Sequence, residues 1–115
     1  MLAGWIVATL VLGRLLQETV QSLKYEAARK GLRLVQLTSD DVPGAVVGDP
    51  TRLRQVLVNL LGNAIKFTDL GRIVLNVQAE SQSASDATLR FSVSDTGIGI
   101  PAEKHAAIFE AFQPG

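Results

Sequence analysis

Cysteine is missing from all 115 residues. That absence removes disulfides, thiolate metal sites and cysteine nucleophiles together, and it is usual for proteins of a reducing compartment. The cytoplasm is the expected location. A net charge is missing too, because eleven Lys and Arg are matched by eleven Asp and Glu. No global field gathers nucleic acid or an anionic membrane, so any charged ligand has to be held by a local site. Histidine occurs once, at His105, which excludes a histidine metal cluster and leaves no Ser/His/Asp arrangement to defend; a surface position is expected for it. A membrane-spanning run is also lacking. MLAGWIVATLVLG, before Arg14, is uncharged, yet a spanning helix needs about twenty apolar residues. A signal peptide would show a basic start and a small-residue cleavage site, and neither is clear. Residues 1–14 are expected to be a buried or ragged domain edge, with a remnant of a membrane or signal segment as the alternative.

What is present suits one small domain. The chain is 47% hydrophobic, and a chain of this size buries roughly two thirds of the surface that its unfolded form exposes. From Arg14 to Lys30, Leu15, Leu16, Val20, Leu23 and Ala27 recur at helical spacing, and Gly31 follows where a helix prefers glycine. RLVQLT (33–38) alternates like a half-buried strand, and SDDVPGAVVG reads as a loop. Asp49 then precedes Pro50, an N-cap followed by proline at the first helical position. The second helix carries Leu53, Val56, Leu57, Leu60, Leu61, Ala64 and Ile65 on an apolar face. RIVLNVQAE (72–80) and ATLRFSVSD (87–95) alternate, and SQSASD between them suits a hairpin loop. DTGIGIP follows, then AEKHAAIF, expected as a short helix, then AFQPG.

Three groups of residues could carry chemistry. Arg52, Gln55, Asn59, Asn63 and Lys66 share a stripe of the second helix, since steps of three and four stay on one face. An amide oxygen can share Mg²⁺ with phosphate oxygens, and a lysine can meet phosphate as a point charge; the same stripe could equally be the wet face of an amphipathic helix. Asp95, at the end of a strand, could accept from an exocyclic amine, with Gly97 and Gly99 letting the backbone turn or approach a ligand. A plain glycine turn would look similar. Phe109 and Phe112 in IFEAF are three apart and are expected to pack on one side as core anchors. Gly97, Gly99 and Ala102 also satisfy G-x-G-x-x-G/A, the dinucleotide fingerprint, but the acidic ribose partner about twenty residues on is lacking, and Pro101 is awkward there. A Walker A loop is absent.

The order of these elements resembles the ATP-binding catalytic domain of two-component sensor histidine kinases, within the wider group that includes gyrase and Hsp90-type ATPases. GDPTRLRQVLVNLLGNAIKFT (48–68) looks like that family's N box, DTGIGIP (95–101) like its G1 box and IFEAF (108–112) like its F box. Three boxes in order are far more specific than any one. The likeness is weaker from Leu15 to Val47, and residues 1–14 do not share it. The resemblance implies an α+β fold, a two-layer sandwich with helices on one face of a mixed, mainly antiparallel sheet. It implies ATP or ADP and Mg²⁺ as cofactors. Asn63 would hold Mg²⁺ and the phosphates, Lys66 would contact phosphate, Phe67 would border the nucleotide, and Asp95 would recognise the adenine amine. Gly97, Ile98 and Gly99 would shape the base pocket and start a mobile lid anchored by Phe109 and Phe112. Asn59 would be the catalytic position. The related hydrolytic ATPases have a glutamate base there, and an amide cannot take a proton from water near neutral pH. Phosphoryl transfer to a protein side chain therefore suits this helix better than hydrolysis.

The sequence departs from the family in two respects. No second glycine-rich box follows the F box, and His105 lacks the HE-x-R-TP surroundings of a phospho-accepting histidine. Residues 15–115 are thus expected to be an incomplete ATP-binding domain with weak nucleotide binding and negligible turnover. An open sheet edge and self-association are expected with it. Implied partners are a histidine-bearing dimerisation domain and a response regulator, with no nucleic acid. A membrane is implied only through the parent kinase. The alternative is a non-catalytic nucleotide-binding or dimerising fragment.

Overall fold

Helix α2, Pro50–Phe67, organises the molecule, and both of its ends are chemically closed. At its start the Asp49 carboxylate accepts from the backbone N–H groups of Thr51 at 3.0 Å and Arg52 at 3.3 Å, meeting donors that a helix leaves unpaired. At its end the Lys30 ammonium donates to the carbonyl of Ile65 at 2.7 Å and of Lys66 at 3.3 Å, and stands 3.9 Å from the Asp69 carboxylate. Lys30 is delivered there by helix α1, Leu12–Arg29. That helix closes in a Schellman turn: Gly31, at φ 78°, donates to the Ala28 carbonyl and Leu32 to that of Ala27, both at 2.9 Å. A cation at a helix C-terminus typically contributes up to about 1 kcal/mol. Lys30→Met is therefore expected to lower the urea midpoint by that equivalent with an unchanged m-value.

The computed structural model describes residues 8–95 and 105–114. Six strands accompany the two helices: β1 Ala8–Val11, β2 Arg33–Thr38, β3 Ala45–Gly48, β4 Arg72–Gln82, β5 Asp86–Asp95 and β6 His105–Phe112. They form one sheet in the order β1-β3-β6-β5-β4-β2. Only β2 and β4 run parallel; every other pairing is antiparallel. The expected α+β sandwich is thus the fold found. Its core lies between helices and sheet. Leu53, Leu57, Leu61 and Ile65 of α2 and Leu12, Leu15, Leu16 and Val20 of α1 are buried, as are Ile73, Leu75 and Val77 of β4 and Leu89, Phe91 and Val93 of β5. Alternation on β4 and β5 is what aims these side chains at one face. Among the described residues no helix is long and apolar enough to cross a membrane.

Three strands depart from the sequence expectation. Ala8–Val11, within the apolar opening run, pairs with Ala45–Gly48, within the segment read as a loop. The expected helix over residues 102–109 is the larger correction: from His105 onward the chain is extended, and what precedes it lies outside the described residues. Its alanines and charged residues suit a helix, but β5 offers an eight-residue antiparallel register from Val93 opposite His105 to Asp86 opposite Phe112. Tertiary pairing overrides local preference here. Phe109 and Phe112 consequently do not share a side. An odd separation along a strand puts them on opposite faces, so Phe109 is 5% exposed and Phe112 59%. Gly48 makes room for the Phe109 ring, since a Cβ there would stand 3.1 Å from its Cζ.

Candidate functional site

Strand β5 places one charged residue where the pattern calls for an apolar one. Ala87, Leu89, Phe91 and Val93 point to the helix-covered core, and Asp95 is the next position of the same row. Its carboxylate is half-buried at the end of the strand, opposite Ile73 of β4. A carboxylate at an inward position is costly unless something polar meets it. Thr68 does so, its Oγ1 donating to Asp95 Oδ2 at 3.2 Å. Thr68 is 4% exposed and follows directly on α2.

Above Asp95 the C-terminal half of α2 and strand β6 stand apart, leaving a cleft of about 580 Å³. That falls within the usual range for small-molecule sites, about 300–1,000 Å³. Its helix wall is Val56, Asn59, Leu60, Asn63, Ala64 and Phe67, steps of three and four that keep one stripe facing the opening. Thr68, Val93 and Asp95 lie on a second side, Ala106 and Ala107 on a third. Apolar side chains thus make most of the surface, with two amides and one carboxylate set into it.

Among residues singled out from the sequence, Asn59, Asn63, Phe67 and Asp95 border this one space. Lys66 does not. Its side chain is exposed, with Nζ 5.4 Å from the centroid of the Phe67 ring. Phe67 is itself 75% exposed and forms the outer lip. Phe109 and Phe112 border a different hollow, with Val47, Asp49, Arg52 and Glu110, so the structure does not bring them to the cleft. Gly97, Ile98 and Gly99 lie outside the described residues. Sequence reasoning gave no role to Thr68; the inward parity of β5, which already assigns Asp95 to the core face, is the signal that would have prompted a search for its partner.

The donor set suits a nucleotide with its metal. An acceptor beneath an apolar cleft can take a hydrogen bond from an exocyclic amine while the apolar walls cover a ring. Among the described residues no three His, Asp or Glu side chains cluster as metal ligands. A divalent cation here would draw on the neutral amide oxygens of α2, and a ligand carrying its own phosphate oxygens would have to complete the coordination.

Comparison with known proteins shows which family carries this fold. The family described as histidine kinase-, DNA gyrase B-, and HSP90-like ATPase matches residues 48–115, and the chain belongs to that family. It is 49% identical over 98 residues to the sensor protein GacS of Pseudomonas syringae pv. syringae, matching 85% of this chain and 11% of that protein. It is 42% identical over 98 residues to the signal transduction histidine-protein kinase BarA of Escherichia coli, again over 85% of this chain and 11% of the relative. The chain therefore spans about a tenth of the length of these curated relatives. Among solved structures, full-length ShkA in complex with AMPPNP superposes with a TM-score of 0.66 at 33% identity, covering 82% of this chain and 19% of that one. The catalytic domain of histidine kinase ThkA also gives 0.66, at 26% identity over 84% of this chain and 64% of its own.

Proposed function

We propose that this chain is the ATP-binding catalytic module of a two-component sensor histidine kinase. In this reading it presents ATP to a histidine on a separate dimerisation domain, from which a response regulator is served. The observation that carries the reading is the placement of Asp95, the one acidic residue in the inward row of β5, across the cleft from Asn59 and Asn63. Asp95 accepts from the adenine amine, and Val93, Leu60 and Ala64 cover the ring. Asn63 lends its amide oxygen to Mg²⁺ and the phosphates, Asn59 sits beside the reacting end, Lys66 reaches phosphate from the rim, and Phe67 closes the outer side. When bound, Mg²⁺ neutralises charge on the phosphate oxygens.

In the transfer, the bond between the γ-phosphorus and the bridging oxygen breaks, a P–N bond forms to the incoming imidazole, and ADP leaves with the electron pair. The imidazole gives up its ring proton to solvent. Little covalent work falls to the protein, whose part is positioning and charge stabilisation. An asparagine at position 59 fits that division, because it orients groups without activating water.

Calorimetric titration with Mg²⁺-ADP tests the reading. Binding in the micromolar to low millimolar range is expected, with Asn63→Ala weakening Mg²⁺-ADP about tenfold, as for one hydrogen-bonding or metal-bridging group, while adenosine binding is spared. No heat from a demonstrably folded sample would sink the reading and leave a non-catalytic module in its place.

A further inference from the structure

Strand β2 is the longer of the sheet's two edges among the described residues, with six residues against four in β1. Its bonds to β4 reveal which groups it leaves over. The Arg33 N–H donates to the Gly71 carbonyl at 3.4 Å and that of Ser39 to the Val77 carbonyl at 2.9 Å. In this parallel ladder the odd-numbered residues therefore face β4, and the N–H and C=O groups of Leu34, Gln36 and Thr38 point to the open side. Native sheets commonly blunt such an edge with a proline, a bulge or an inward-facing charge. β2 has none of these. Its only charge, Arg33, belongs to the outward row with Val35 and Leu37, its register with β4 runs without a shift, and Leu37 is 53% exposed. On the inner side a groove of about 600 Å³, lined in part by Lys24, Ala28, Leu34 and Gln36, leaves room beside the strand.

We propose that this edge is an interface for a second copy of the chain, which adds its own β2 in antiparallel orientation about a two-fold axis at Gln36. The strand is complementary to itself. With Gln36 opposite the partner's Gln36, Leu34 falls opposite the partner's Thr38, and these outward-pointing backbone groups exchange hydrogen bonds pair by pair. On the open face the same register sets Val35 against the partner's Leu37, an apolar cross-strand pair made twice by symmetry, which covers the exposed leucine. Charge follows the same direction. Arg33 meets the partner's Ser39 and lies one diagonal step from the partner's Asp41, so the basic start of each strand stands against the acidic residues, Asp40 and Asp41, that follow the other. A slip of one residue would set odd positions against even ones and lose both the bonds and the face match. None of these residues borders the nucleotide cleft, so the pairing stands apart from the proposed function.

The test is sedimentation equilibrium of the full chain, with circular dichroism to establish that each variant is folded. The wild type is expected to pass from monomer towards dimer as its concentration rises from about 1 to 500 µM, the range of a small interface. Gln36→Pro removes an N–H directed at the partner and none directed at β4, so it should abolish the dimer and keep the fold; Leu37→Lys, at an exposed position, should do the same and serves if the proline variant does not fold. Arg33→Asp and Asp41→Arg should each weaken the dimer about tenfold, because each places like charges together twice across the axis. An equimolar mixture of those two variants should dimerise as the wild type does, since opposite charges then meet at both ends. A wild type that stays monomeric throughout, or a dimer that survives both Gln36→Pro and Leu37→Lys, overturns the proposal. A mixture of the charge variants no more dimeric than either alone overturns the antiparallel register.

Discussion

Replacing Asp95 with alanine is expected to weaken Mg²⁺-ADP binding by about 1.5–3 kcal/mol, roughly ten- to hundredfold in Kd, the range for losing a hydrogen bond to a charged group. Fold stability should change little by comparison. Asp95 ends its strand and is only half-buried, so its removal opens no sealed cavity. Adenosine should suffer as much as ADP, because the lost contact is to the base. That pattern separates Asp95 from Asn63, whose loss is read only with phosphates present. Equal loss of adenosine binding in both variants would mean that base and phosphate ends have been assigned to the wrong residues.

The largest expected effect on stability belongs to Phe91. It is fully buried at the centre of β5, opposite Val77 of β4 and Ala107 of β6. Truncating a buried phenylalanine to alanine costs about 3–5 kcal/mol, against a total of about 5–15 kcal/mol for an ordinary domain. Phe91→Ala should therefore unfold at far lower urea than the wild type, with Phe91→Leu in between. Similar midpoints for the alanine variant and the wild type would show that the site collapses around the deletion, contrary to a close-packed core.

Much of this architecture could be read before any coordinates, and the unreadable parts share a physical cause. Helix α2 announces itself through Asp49, Pro50 and a long apolar stripe, all local signals. Strands β2, β4 and β5 alternate over enough residues to be recognised. Strands β1 and β3 have four residues each, too few for a period to show, and they exist because they pair with each other. Strand β6 has a composition compatible with helix, and only its partner β5 decides the matter. At the site, Asn59, Asn63 and Asp95 could be singled out from helical spacing and strand position. Their shared cleft could not, since it depends on how far β6 stands from α2. Lys66 shows the limit of stripe arguments: it belongs to the same polar stripe as Asn63, yet its long side chain leaves the cleft.

The strand order has a consequence for how the chain folds. Strand β6 comes last among the described strands but lies inside the sheet, between β3 and β5. Among the described residues, only residues 105–112 pair the ribbon of β1 and β3 with the ribbon of β5, β4 and β2, so until they are in place each ribbon presents an unpaired inner edge. Joining them closes loops that span much of the chain, and such non-local pairing is slow. During synthesis on the ribosome, the two ribbons would wait for their common centre, exposed meanwhile to wrong pairings with other nascent chains. Insertion of this late segment is therefore expected to limit the folding rate, and substitutions in β6 should slow refolding more than those in β1.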